Sequence, residues 1–105
     1  MPEEFHSVFM DATDEIITEL LGPGVLNALY AKLADTYDIT RDELPYRLDT
    51  VYSVLETVFG AKGARTIGRS IIRRFYTKLN VEFKEDHNHP LDVYLKIAKR
   101  ELAKR

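Results

Sequence analysis

The chain contains no cysteine, only five glycines and four prolines, and no long apolar run. Without cysteine there are no disulfides, no thiolate nucleophile, and no zinc or iron–sulfur site built on sulfur. No stretch approaches the roughly 20 apolar residues that a membrane-crossing helix needs. The N-terminus, Met1-Pro2-Glu3-Glu4, lacks the basic region of a signal peptide. The expectation is a cytoplasmic, unprocessed protein with no membrane association. At 105 residues the length fits one domain, which at this size folds without a metal or a covalent staple. An apolar share of 45% with 30% charged residues argues for an ordered globule rather than a disordered chain.

Charge is present in quantity but divided along the chain. Residues 1–60 carry 12 acids and 3 bases, a net of −9, and residues 61–105 carry 12 bases and 5 acids, a net of +7. Such a division fits internal pairing of the two halves, head-to-tail self-association, or a polar partner.

Apolar spacing predicts an all-α domain of about five helices, a four-helix core plus a C-terminal helix. In the first, about 5–21, Phe5, Phe9, Ala12, Ile16 and Leu20 share one face, and Leu21-Gly22-Pro23-Gly24 ends it. The second runs from Pro23 or Gly24 to about Tyr37 with Leu26, Leu29, Tyr30, Leu33 and Tyr37 inward. Thr40-Arg41-Asp42-Glu43 has capping-box spacing, and Pro45 limits it to a single turn. The third, about 46–59, carries Leu48, Val51, Tyr52, Leu55, Val58 and Phe59, with Gly60 as its cap. The fourth, about 63–79, turns Ile67, Ile71, Ile72, Phe75 and Leu79 inward and stops at Asn80. Gly68 lies in its middle, where glycine costs about 1 kcal/mol against alanine, so close approach of a neighbouring helix is expected there. Residues 81–88 form a connector in which Val81-Glu82-Phe83 fits an extended segment. Pro90 opens the fifth helix, with Asn88 or His89 available as its cap.

The most specific chemical feature is a basic stripe. Lys62, Arg65, Arg69 and Arg73 fall within roughly 80° of one another on a helical wheel, beside the apolar arc. Arginine forks suit phosphates and carboxylates, so this edge fits a nucleic-acid backbone or an acidic partner; a solvated helix face accounts for the same residues. In the fifth helix Leu91, Leu95, Ala98 and Leu102 form one seam, and Val93 and Ile97 add a second apolar edge opposite it. Two such edges on one helix call for a partner, so Leu91, Val93, Leu95, Ile97 and Leu102 are expected at a homodimer interface.

Catalytic and metal patterns are thin. Asp86-His87-Asn88-His89 places two imidazoles beside a carboxylate, but no second cluster completes a metal site. His6 is a candidate phosphoacceptor without supporting context. Asp11, Asp14 and Glu15 are the carboxylates a metal-dependent phosphohydrolase would use, yet they lie on the polar side of the first helix. None of Ser7, Ser53 and Ser70 sits in a glycine elbow, and Gly60-Ala61-Lys62-Gly63 lacks phosphate-loop spacing. No cofactor is expected, and none of these patterns makes the chain an enzyme.

The order of motifs across residues 5–80, about three quarters of the chain, resembles the archaeal family called Nitrosopumilus output domain five. The likeness is carried by Phe9 through Leu20-Leu21-Gly22, by Leu29-Tyr30-Ala31-Lys32-Leu33, and by Leu55-Glu56-Thr57-Val58-Phe59-Gly60. Gly63-Ala64, Ile67, Ile71-Ile72 and Tyr76-Thr77-Lys78-Leu79 continue it, while Gly68 departs from the larger or acidic residue expected there. Residues 81–105 lie outside the resemblance. It implies a small helical module, alone or attached to sensors, that serves archaeal signal transduction or transcriptional control. That family carries no established catalytic residues, so the implied role is interaction rather than catalysis.

Overall fold

A computed structural model describes residues 2–85 and 89–105, and every described regular element is helical. Asp86, His87 and Asn88 of the histidine-bearing run lie outside the described residues. The elements are α1 (Pro2–Leu21), α2 (Pro23–Tyr37), a 3-10 helix η1 (Arg41–Tyr46), α3 (Leu48–Leu79) and α4 (Leu91–Ala103). None of them is long and apolar enough to cross a membrane.

The periodic face of α1 becomes the centre of the core. Phe5, Phe9, Ala12, Ile16 and Ile17 are buried, and α1 packs against α2, η1 and α3. Thr13 is buried among them because its hydroxyl donates to the Phe9 carbonyl at 3.0 Å, which satisfies it inside the helix. Leu20, expected on this face, is instead 51% exposed, so the burial of α1 ends a turn before the helix does.

Gly22 adopts φ 95°, a backbone that glycine takes at no steric cost, and Pro23 starts α2 directly after it. Leu29 and Leu33 hold α2 to the core. Asp38 closes α2 in the left-handed region, and Ile39 is buried just beyond it. The expected capping box opens η1. Thr40 donates to the Glu43 carboxylate from its amide and its hydroxyl, each at 3.0 Å. Those two donors hold the Glu43 carboxyl below its usual range. Pro45 is tolerated because the element is a short 3-10 turn that anchors through buried Leu44.

The third and fourth expected helices meet without a loop. Gly60 (φ 80°, ψ 168°) is the single non-helical residue inside α3, dividing it into arms 48–59 and 61–79. A side-chain-bearing residue would be strained at that φ. Val58, counted with the inward stripe, is 48% exposed in the turn before this break. On the 61–79 arm, Phe75 is wholly buried and meets Phe5 and Phe9 edge-on at 5.1 and 5.4 Å between ring centroids.

Asn80 ends α3 in the left-handed region, as its stop signal predicts. Residues 81–85 form no regular element, but Val81 and Phe83 pack into the core. Val81 is buried, and Phe83 stacks on Tyr94 at 5.6 Å and meets Tyr76 edge-on. Pro90 itself is the residue before α4, in extended backbone, where Asn88 or His89 was expected to cap. The Tyr76 hydroxyl donates to the Tyr94 carbonyl at 2.6 Å and so ties α3 to α4. Burial, reinforced by the Tyr94 and Glu101 side chains, pushes that hydroxyl up to about 12.

Candidate binding groove and its basic edge

The divided charge is resolved largely within the molecule on one side of α3. Arg74 reaches Glu15 at 2.8 Å and Glu19 at 2.6 Å, and Lys78 reaches Glu15 at 2.5 Å. These contacts join the acidic face of α1 to the basic 61–79 arm across more than fifty residues of chain. Lys78, then Arg74, holds the Glu15 carboxyl below its ordinary range, and Arg74 does the same to Glu19. The other end of the acidic face is closed by η1. Arg41 grips Asp14 at 2.7 and 3.1 Å and touches Asp11 at 3.3 Å, while the Tyr30 hydroxyl donates to the other Asp14 oxygen. Burial and the adjacent carboxylate both raise the Tyr30 hydroxyl well above its usual value.

That arrangement accounts for Asp11, Asp14 and Glu15 without a metal. Each faces a guanidinium or an ammonium, and a cation brought there would compete with a fixed positive charge. Among the described residues, no three His, Asp or Glu side chains converge as metal ligands. His89, the one described member of its run, packs edge-on against Tyr94 at 5.4 Å. His6 shares a 2.9 Å hydrogen bond with the Tyr46 hydroxyl. Burial, then the charge of Lys99, lowers the His6 pKa and favours the neutral ring.

The basic stripe is held in two ways. Arg69 and Arg73 share one oxygen of Glu85, each at 3.0 Å, and the Arg73 guanidinium lies over the Phe83 ring. Lys62 and Arg65 are exposed, with no ion pair among the described residues. Sequence spacing placed the four on one edge. It gave no sign that a connector carboxylate twelve residues beyond Arg73 would engage two of them.

Beside this edge lies a groove of about 510 Å³ between the two arms of α3 and the start of α4. Its apolar wall is made by Leu48, Tyr52, Ile72, Leu91 and Tyr94, and Arg65, Arg69, Asp49 and Ser53 stand among its polar lining. Gly68 lines it as bare backbone. A methyl group at Gly68 would come within 3.4 Å of Leu91 and 3.5 Å of Tyr52. Leu91 and Tyr52 therefore close on the backbone at Gly68 to within contact of a methyl group, the close approach that a mid-helix glycine signals.

The five α4 residues expected at a dimer interface divide into two sets. Leu95 is buried, and Leu91 and Leu102 pack against the chain's own core together with Tyr94 and Ala98. Val93 and Ile97 are half-buried. The 81–85 segment and the 61–79 arm both reach Tyr94, on the core-facing side of the helix, whereas Val93 and Ile97 are not among the residues packed on the core. No protein-family model matches this chain, and no curated protein or solved structure matches it.

Proposed function

We propose that the chain is a non-enzymatic helical output or adaptor module of archaeal signal transduction or transcriptional regulation, and that it docks an acidic protein partner on the edge of the 61–79 arm. The observation that carries this reading is the contrast within one arm. Arg74 and Lys78 are engaged by α1 carboxylates, whereas Lys62 and Arg65 stand exposed without an ion pair among the described residues. Val58, the exposed apolar residue next to the break at Gly60, lies on the other arm four residues before Lys62. Exposed cations left without internal partners suit a protein surface of opposite charge. The motif order over residues 5–80, with its resemblance to an output-domain family, supports the regulatory context. A second copy of the chain remains a further partner in this reading, through half-buried Val93 and Ile97 on the side of α4 away from the core-packed Leu91, Leu95 and Leu102.

Nucleic-acid binding through Lys62, Arg65, Arg69 and Arg73 is the second reading. Magnitude decides against it. Two unengaged cations neutralise two phosphates, which corresponds to a salt slope of about −1.8, against the 6–10 contacts of a firm duplex binder. Fluorescence anisotropy with an acidic amphipathic peptide and with a short DNA duplex, between about 50 and 200 mM salt, tests both. The peptide is expected to bind, with Lys62→Glu/Arg65→Glu abolishing it. Duplex binding with a slope steeper than about −4 would overturn the assignment in favour of nucleic acid.

A further inference from the structure

We infer that the groove between the arms of α3 and the start of α4 is a ligand site for a small aromatic carboxylate. This goes beyond the docking of a protein on the outer edge and does not depend on it. Three observations lead to that chemical class.

The first is size. About 510 Å³ falls within the roughly 300–1,000 Å³ of small-molecule sites. The second is the lining. Tyr52 and Tyr94 present aromatic surfaces and Ile72 and Leu91 aliphatic ones, with the bare backbone of Gly68 in the wall between Tyr52 and Leu91. A flat ring fits such a slot and gains edge-on or offset aromatic contacts there. The third is the placement of charge. Arg65 and Arg69 both belong to the 61–79 arm, while the lining acid, Asp49, stands on the 48–59 arm. An anionic head is therefore drawn to the arginine side and repelled from the other, which gives the ligand one orientation. Arg69 is already held by Glu85 at 3.0 Å, so its guanidinium is fixed before anything binds. Arg65 is the group left to close on the carboxylate as a planar fork.

The ring enters between Tyr52 and Tyr94, and its carboxylate accepts hydrogen bonds from Arg65. Gly68 is the residue that sets the depth of the site. Its replacement by alanine meets only ordinary contact distances, so the fold survives while the slot becomes shallower.

Titration of the intact chain with 2-naphthoate, followed by amide NMR shifts, tests the assignment, with 2-naphthamide as the uncharged comparison. The expected result is saturable binding with shifts centred on Tyr52, Gly68, Ile72 and Tyr94, and binding of the amide about tenfold weaker. Arg65→Gln should weaken 2-naphthoate about tenfold and leave the amide unaffected. Gly68→Ala should weaken both ligands severalfold while the thermal midpoint holds or rises. Shifts centred elsewhere, equal affinity for acid and amide, or unaltered affinity in Gly68→Ala would each overturn the inference. Arg65 is common to this test and the peptide test, so Lys62→Glu tells them apart: it should weaken the peptide and leave 2-naphthoate unaffected, since Lys62 does not line the groove.

Discussion

The two sides of the 61–79 arm are built from the same residue types and end in different states. Toward α1, aromatic rings close the core and every cation meets a carboxylate: Phe75 lies against Phe5 and Phe9, and Arg74 and Lys78 hold Glu15 and Glu19. Toward α4, a glycine stands where a side chain would fill the gap, and the groove beside it is left with arginine at its lip. Polar groups satisfied within the chain stabilise it or set its register. Polar groups beside unfilled apolar space are positioned for something outside the chain. The difference teaches that a basic stripe acquires functional meaning only after its internal partners have been subtracted.

The largest expected effect lies on the α1 side. Phe75→Ala removes a fully buried ring that three other aromatic rings surround. It should cost about 3–5 kcal/mol, a large part of a domain's total of about 5–15 kcal/mol. A urea midpoint reduced by less than a quarter would mean that the α1 side is not the centre of stability. Next comes Gly68→Ala on the groove side, in the opposite direction. Helix propensity favours alanine by about 1 kcal/mol, and the added methyl meets only van der Waals contacts. For a chain of this size that gain corresponds to a rise of about 4–8 °C in the thermal midpoint. A fall would show that the space at Gly68 is needed for packing rather than left for a ligand.

Much of this architecture can be read in the chain before it folds, because it depends on local punctuation. Gly22-Pro23, Gly60, Asn80 and Pro90 each mark a boundary through backbone constraints that a neighbour along the chain imposes. The mid-helix glycine likewise announces a close approach. The pairing of Arg74 with Glu15 and Glu19, 59 and 55 residues away, leaves no such local mark. Charge totals foretold only that the halves could pair, not which cations would be used. Phe83 was hidden for the same reason: its contacts with Tyr76 and Tyr94 are tertiary, and nothing in the periodicity around it shows burial. On α4 the periodicity of Leu91, Leu95, Ala98 and Leu102 is enough to mark the face that packs on the core, because a 3.6-residue repeat is a local property of the helix.

A smaller effect concerns acid. The folded-state pKa values of Glu15 and Glu19 lie below the ordinary value of 4.5, chiefly through hydrogen bonds from Lys78 and Arg74 to the former and from Arg74 to the latter. Their contribution is therefore complete above pH of about 4.5 and is lost as pH falls through the lowered values. Because both carboxylates are exposed, salt should blunt it. A Glu15→Gln/Glu19→Gln variant should show a shallower acid limb in chemical unfolding at low salt. An unchanged limb would place the acid sensitivity elsewhere.

The most direct test of the division within the arm is the thermal midpoint, at low salt, of Arg74→Glu beside Arg65→Glu. Arg74→Glu sets a third carboxylate against Glu15 and Glu19 and should lower the midpoint clearly, while Arg65→Glu at the groove lip should leave it unchanged within error. Equal losses, or a greater loss from Arg65→Glu, would contradict the account.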